Sequence, residues 1–409
     1  AGALKQNETA TIRLYGTYLA FDPFITLKRN GTSRHDLRTR FQATLNRFPE
    51  SEKTNSDAYS LFAEYQYWRK LTGFMDLTTG LTETFSIVRS NMYKDHNGFN
   101  LGGFAQFEIR PADRVKAVAG VRVEQNALDG IYDRIVPVFR AGLNWQVANF
   151  SFLRLSFGQG YRYPSVAEKH ASTTLGSVSI FPNPDVRPES GWSTEAGFKQ
   201  GIMIGNFNGQ ADLAIFMSQN SNMIEYYLSI YTDPVSGVTS AGFKATNVER
   251  SRVYGGELEL MAGGSIGNVY TTLTGGYTYI YPVEFNNTTQ RRTGEYLKYR
   301  RKHSGKASLG ASWKMLEAEL SFYARSKILR IDSFFLHEQT GEEILPGFPD
   351  YWKTHNTGYC LLDGTLGYKL NTKYTLSLAV KNLTNTEFMA RPGDIQPQRN
   401  YSLRFSGKF

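Results

Sequence analysis

The densest binding chemistry in the chain lies between residues 332 and 357, in "DSFFLHEQTGEEILPGFPDYWKTHNT". Phe334, Phe335, Phe348, Tyr351 and Trp352 offer flat apolar surface within a polar stretch. Rings concentrated in an exposed loop point to a partner or a ligand. His337, Glu342, Glu343 and His355 are residue types that hold metals. They lack a compact spacing such as His-x-x-x-His, so no metal site is expected. A second stretch, "TTQRRTGEYLKYRRKH", carries Arg291, Arg292, Arg300, Arg301 and Lys302. Two readings stand for it: attraction of an anionic ligand, or contact with a phosphate-bearing surface. A third, "GQGYRYPSVAEKH", sets Arg162 between Tyr161 and Tyr163, stiffened by Pro164, with His170 further on. No Gly-x-Ser-x-Gly and no convincing paired-carboxylate box occurs, so no enzyme is expected.

The totals narrow the class. Net charge is +9 over 409 residues, which favours anionic partners. The basic residues are spread along the chain rather than clustered, which argues against nucleic acid. Cys360 is the single cysteine, so neither an internal disulfide framework nor a Cys-rich metal site is possible. The N-terminal "AGALKQNETA" has no apolar core of a signal peptide. Mean hydropathy is −0.40, and no stretch nears the ~18 apolar residues of a spanning helix. Aromatic residues nevertheless make up 14%, with 25 Tyr and 27 Phe.

The elements that must position these residues are strands. In "LEAELSFYARS", Leu316, Ala318, Leu320, Phe322 and Ala324 alternate with Glu317, Glu319, Ser321 and Arg325. In "YTLSLAVKNL", Leu376, Leu378 and Val380 alternate with Thr375, Ser377 and Lys381. In the terminal "NYSLRFSGKF", Tyr401, Leu403, Phe405 and Phe409 alternate with Ser402, Arg404, Ser406 and Lys408. Period two means one apolar and one polar face. About 17 such strands are countable, many of 10 or more residues. Soluble strands run ~5–6 residues, whereas tilted membrane-crossing strands need ~9–11. Connections alternate between short turns, near residues 110–114, 147, 315 and 371, and long loops. The long loops are 158–189, 229–242, 282–296, 332–357 and 385–398. That sorting is the pattern of an antiparallel transmembrane β-barrel. Leu320, Phe322, Leu376, Leu378, Leu403 and Phe405 are expected to face lipid. The front segment, "TIRLYGTYLAFDPFITLKR", reads as one strand with a bulge at Pro23.

Four motifs in order resemble the TonB-dependent outer-membrane receptors. The aromatic-Arg-x-Pro box stands at 161–164, followed by "NPDVRPE" at 183–189 and a strand with Glu195 and Gly197. Asn247 precedes "GGELEL", and "GVRVE" stands at 120–124. The last two strands carry Asn382, Leu383 and Arg399. The resemblance implies a barrel of roughly 22 strands with a plugged lumen. With the odd count of about 17 against even-numbered bacterial barrels, the resemblance implies that residues 1–409 are the C-terminal portion, with the plug domain and first strands expected outside them. It implies capture and active uptake of a scarce large ligand through the TonB complex, with a ferric siderophore as first reading. A haem or cobalamin receptor and a passive porin are the alternatives. Expected surroundings are the bacterial outer membrane, its lipid and lipopolysaccharide; a surface lipoprotein is a further partner to test. No cofactor is expected.

Candidate ligand-binding residues are Tyr161, Arg162, His170, Arg291, Arg292, Phe334, Phe335, Tyr351 and Trp352. For Arg162 the resemblance leaves a structural lock or a contact to plug or ligand. For His170 it leaves an ordinary loop histidine or the haem-ligating histidine that related haem receptors often carry there.

Overall fold

A computed structural model describes residues 13–49, 54–175, 178–232, 237, 239–248, 250–286, 291–338, 341, 342 and 345–408. Phe409, Glu343 and the 287–290 part of the arginine-bearing stretch lie outside the described residues, as does the N-terminal "AGALKQNETA". Among the described residues each segment read as period-two forms a strand over most of its length. One antiparallel sheet contains 20 strand segments, and a smaller sheet contains four. Two of the twenty, Tyr15–Phe21 and Phe24–Arg29, lie end to end along one partner. Two others, Ile131–Tyr132 and Arg292–Tyr296, are short extensions of neighbouring ladders. Counting the first two as one and setting the extensions aside leaves seventeen long strands among the described residues. Several reach 15 to 17 residues, as in Ser33–Arg47 and Arg250–Ile266. Two short helices bear on the site, α1, Val166–His170, and α2, Phe348–His355.

The chain divides into two compact units. The first comprises residues 1–145, 156–193 and 219–250. Its register lines up apolar residues across neighbouring strands, Leu37 beside Tyr65, Leu81, Gly103 and Val123. One position along, the opposite face carries Arg38, Glu64, Thr82, Gly102 and Glu124. The polar face is laced with ion pairs, Arg38–Glu64 at 3.1 Å and Arg122–Glu124 at 2.9 Å.

Two expectations are corrected in this unit. Pro23 makes no bulge: Phe21 pairs with Phe41 and Phe24 with Arg38, so the register continues unbroken. Proline removes a donor without inserting a residue, and the Pro23 carbonyl still accepts from the Thr39 N–H at 3.0 Å. The described ends of the stretch 229–242 are strand and not irregular loop: residues 229–232 and 239–242 belong to the pairing of Ile224–Thr232 with Thr239–Asn247 in the four-stranded sheet. Val178–Phe181 joins that pairing in parallel, and Thr173–Leu175 pairs antiparallel with Val178–Phe181.

The second unit comprises residues 146–155, 194–218 and 251–409. Its exposed face carries Leu273, Leu309, Leu320, Gly364, Val380 and Tyr401 side by side. A parallel row runs Ala318, Leu366, Leu378 and Leu403. Leu320 and Leu378 are 46% and 45% exposed, an arrangement that water would not favour over six strands. The opposite face carries Glu317, Gly367, Ser377 and Arg404 in register. In the same unit Arg154 pairs with Glu195 at 3.0 Å and Asp212 at 2.6 Å. A Cβ on Gly197 would lie 2.6 Å from the Arg154 guanidinium carbon. This accounts physically for a Glu and a Gly two positions apart in the motif: one holds the arginine, the other leaves it room.

Candidate ligand-binding site

The proline-arginine box is a lock in this structure. Ser165 caps α1 by accepting from the Glu168 N–H, and Glu168 returns to the Ser165 N–H at 2.8 Å. The same Glu168 carboxylate takes a bidentate pair from Arg162 at 2.8 and 2.9 Å. Arg162 Nε donates to Glu189 at 2.7 Å, so one guanidinium ties the two ends of the box together. Burial disfavours the charged form of Glu168, but Arg162 and Ser165 outweigh it and hold the carboxyl below its ordinary value. Tyr161 donates to Asp133 at 2.7 Å.

Asn183 and Asn247 complete the lock. Asn183 donates from its side chain to the Ala245 carbonyl at 2.8 Å. Asn247 accepts from the Arg187 N–H at 2.8 Å and donates to the Arg187 and Asn222 carbonyls at 2.9 and 2.8 Å. One amide therefore satisfies three backbone groups from two distant turns. Asn382 does the same work elsewhere, exchanging hydrogen bonds with Thr386 at 2.8 Å from a left-handed backbone with φ 53°.

His170 is half-buried. Its ring stacks on His96 at 4.0 Å. Burial, His96 and Lys169 push the His170 imidazole below its ordinary value, favouring the neutral form. His96 itself faces the Asp129 carboxylate at 2.6 Å and the Tyr93 carbonyl at 2.7 Å. Nothing in the spacing of the chain announces His96 as the partner of His170.

The aromatic loop is folded on itself. Phe348 and Trp352 are buried with Ile328, Ile331 and Met389, and Phe335, Leu345 and Tyr351 pack against them. The expectation of five open rings is corrected here: Trp352 is 9% exposed and Phe348 6%. Tyr351 stacks on His355 at 4.1 Å and donates to Glu387 at 2.8 Å. Burial, with that contact second, raises its phenol to about 12. Phe334 remains half-buried. At the loop's base Asp332 binds both Lys298 and Tyr299, with Lys298 and Asp332 each 5% exposed. His337, Glu342 and His355 form no metal-holding group among the described residues.

Cations and rings meet instead in the same unit around residues 252–302. Arg252 lies over Phe285 at 4.3 Å, and Arg292 over Tyr281 at 5.5 Å. Lys302 lies over Tyr281 at 5.3 Å and Tyr296 at 4.6 Å, and donates to the Tyr296 hydroxyl at 2.8 Å. That donation lowers the Tyr296 phenol from its ordinary value. Three cations interleaved with aromatic faces form a surface complementary to an anion with planar groups. Of the basic run, Arg301 serves the scaffold: it reaches the Met389 carbonyl at 3.1 Å and lies over Tyr359 at 5.1 Å. Arg291 and Arg300 are exposed. Arg252 was not foreseeable, because the ring it covers, Phe285, lies at the far end of the next strand.

Long two-faced strands in one large antiparallel sheet are the architecture of a β-barrel. The chain belongs to the family described as TonB dependent receptor-like, beta-barrel, which it matches over residues 3–383. The family is one of transport receptors, not enzymes. Among solved structures the siderophore receptor PirA of Acinetobacter baumannii aligns with a TM-score of 0.73 at 12% identity. The alignment covers 97% of this chain and 63% of PirA, so the chain spans less than two thirds of that receptor's length. The ferric enterobactin receptor PfeA of Pseudomonas aeruginosa aligns with a TM-score of 0.72 at 14% identity, covering 98% and 62%. The hemophore receptor HasR of Serratia marcescens gives 0.60 at 15% identity, covering 98% and 70%. A search of curated proteins finds no match.

Proposed function

We propose that this chain is the C-terminal portion of a TonB-dependent receptor barrel that imports an anionic iron chelate of the siderophore class. The observation that carries the ligand class is the cluster of Arg252, Arg292 and Lys302 over Phe285, Tyr281 and Tyr296. Guanidinium and ammonium groups attract the chelate's charge, and the rings give flat apolar area. In this reading the plug and first strands come from the rest of the protein, and the exposed leucine rows contact outer-membrane lipid. Phosphates of lipopolysaccharide compete for the outermost basic residues, Arg291 and Arg300. The box at 161–189 acts as a structural lock and not as the ligand grip.

The test uses the complete receptor in iron-starved cells. Substituting Arg252, Arg292 and Lys302 together by Gln is expected to weaken ferric-siderophore binding at least tenfold at unchanged receptor abundance. Binding should also weaken with added salt. Uptake should stop when the proton gradient is collapsed; uptake that continues means a passive porin. Loss of haem use in His170→Ala, with siderophore binding intact, would replace this reading with a haem receptor.

A further inference from the structure

The strands that carry the cation–ring cluster have a second face. Val269–Phe285 pairs with Arg292–Tyr296, with Val283 opposite Tyr296 and Phe285 opposite Arg292. Alternation therefore places Glu284 on the other side of its strand from Tyr281 and Phe285. Glu295 likewise lies on the other side from Tyr296. Arg330 meets both carboxylates there. Its Nη1 lies 3.3 Å from Glu284 and 3.3 Å from Glu295, and donates to the Tyr296 carbonyl at 2.9 Å. The backbone of Arg330 is itself held, because its carbonyl accepts from the Tyr299 N–H at 2.7 Å. Two residues on, Asp332 binds Lys298 and Tyr299. The side chains of Arg330 and Glu284 are 27% and 25% exposed, so water screens this pair less than a fully open one.

Two carboxylates beside a site for an anion need an explanation. Glu284 is next in the chain to Phe285, and Glu295 to Tyr296, with about 3.8 Å between adjacent Cα atoms. An anion on the ring face feels both charges across the strand, since screening acts over ~8 Å. Unopposed, they would offset two of the three positive charges of Arg252, Arg292 and Lys302. We infer that Arg330 is a positioning residue for the anion site: it holds Glu284 and Glu295 paired behind the strands and away from the bound anion. The inference rests on the iron-chelate reading of the cluster. Arg330 needs no contact with the anion for this role. It acts through the two carboxylates, and so sets how strongly the ring face prefers negative charge.

The experiment measures binding of two anionic probes to the complete, purified receptor. They are the iron(III) complex of a tripodal tricatechol, and iron(III) citrate. Arg330→Gln should weaken binding of at least one probe about fivefold at low salt. The gap should close as salt is raised, because it arises from charge. A merely structural role would leave the gap open at high salt. Adding Glu284→Gln and Glu295→Gln to Arg330→Gln should restore affinity to within about twofold of the unaltered receptor, since nothing is then left to offset. The substitution of Arg252, Arg292 and Lys302 by Gln runs alongside. If that variant loses affinity while Arg330→Gln does not, the inference fails and the iron-chelate reading stands. A loss in Arg330→Gln that persists at high salt, or that the two carboxylate changes do not restore, also overturns the inference. If neither probe binds, or the cluster variant binds as before, the reading fails and the inference with it.

Discussion

The box at 161–189 and the loop at 332–357 meet the same requirement by opposite physics. Each must hold a long connection in one conformation. The box does it with charge and amides: Arg162 between Glu168 and Glu189, and Asn247 on three backbone groups. The loop does it with a small apolar core, Trp352 and Phe348 against Ile328, Ile331 and Met389. Polar locks need named residues at fixed positions, because donors and acceptors must match in number and direction. Apolar cores accept many solutions of similar volume. This explains why the box reads as a motif and the loop does not. It also shows that aromatic content in a loop is weak evidence for a ligand when the loop is long enough to bury its own rings.

The comparison breaks most readily at Trp352. Trp352→Ala should destabilise the loop by about 3–5 kcal/mol, the usual cost of emptying a core of a large ring. Limited proteolysis should then cut between residues 332 and 357 while the strands stay protected. Unchanged protection would mean that the apolar core does not hold the loop. Both regions hang from strands whose outward side must be apolar, which a change at Leu378 probes. Leu378→Arg should cost ~2–4 kcal/mol in a folding titration, and Ser377→Arg much less. Equal costs at the two positions would reverse the assignment of faces.

A smaller effect is expected at Asn247. Asn247→Ala leaves three backbone groups to find water and should cost about 2 kcal/mol, loosening residues 183–189 but not 332–357. Hydrogen exchange on the two segments separates these outcomes. Acid sharpens the contrast last. His170 is held neutral in the fold, so its contribution is full above pH 6.5 and declines as pH falls below that ordinary value. Glu168 is held charged, so its contribution is present above pH 4.5 and is lost as pH falls through its lower folded value. Both signs point the same way. Protease sensitivity of the box should rise between about pH 6.5 and 4, with no matching rise in the apolar loop. Matching rises in both segments would remove the distinction between them.

What the sequence determined by itself is what depends on near neighbours. Alternation is a local property, so Leu376, Leu378, Leu403 and Phe405 were assignable to one face without any contact being known. The strand count and the sorting of turns from loops followed from the same local pattern. So did the family, because polar locks write recognisable residues at Arg162, Asn183, Glu189 and Asn247. Only the tertiary structure decided which side chains meet. Trp352 finds Met389, His170 finds His96, and Arg252 finds Phe285 across separations no periodicity spans. Those pairings depend on strand register and on how each loop packs. A one-dimensional pattern specifies the face a residue takes, but not the partner waiting there.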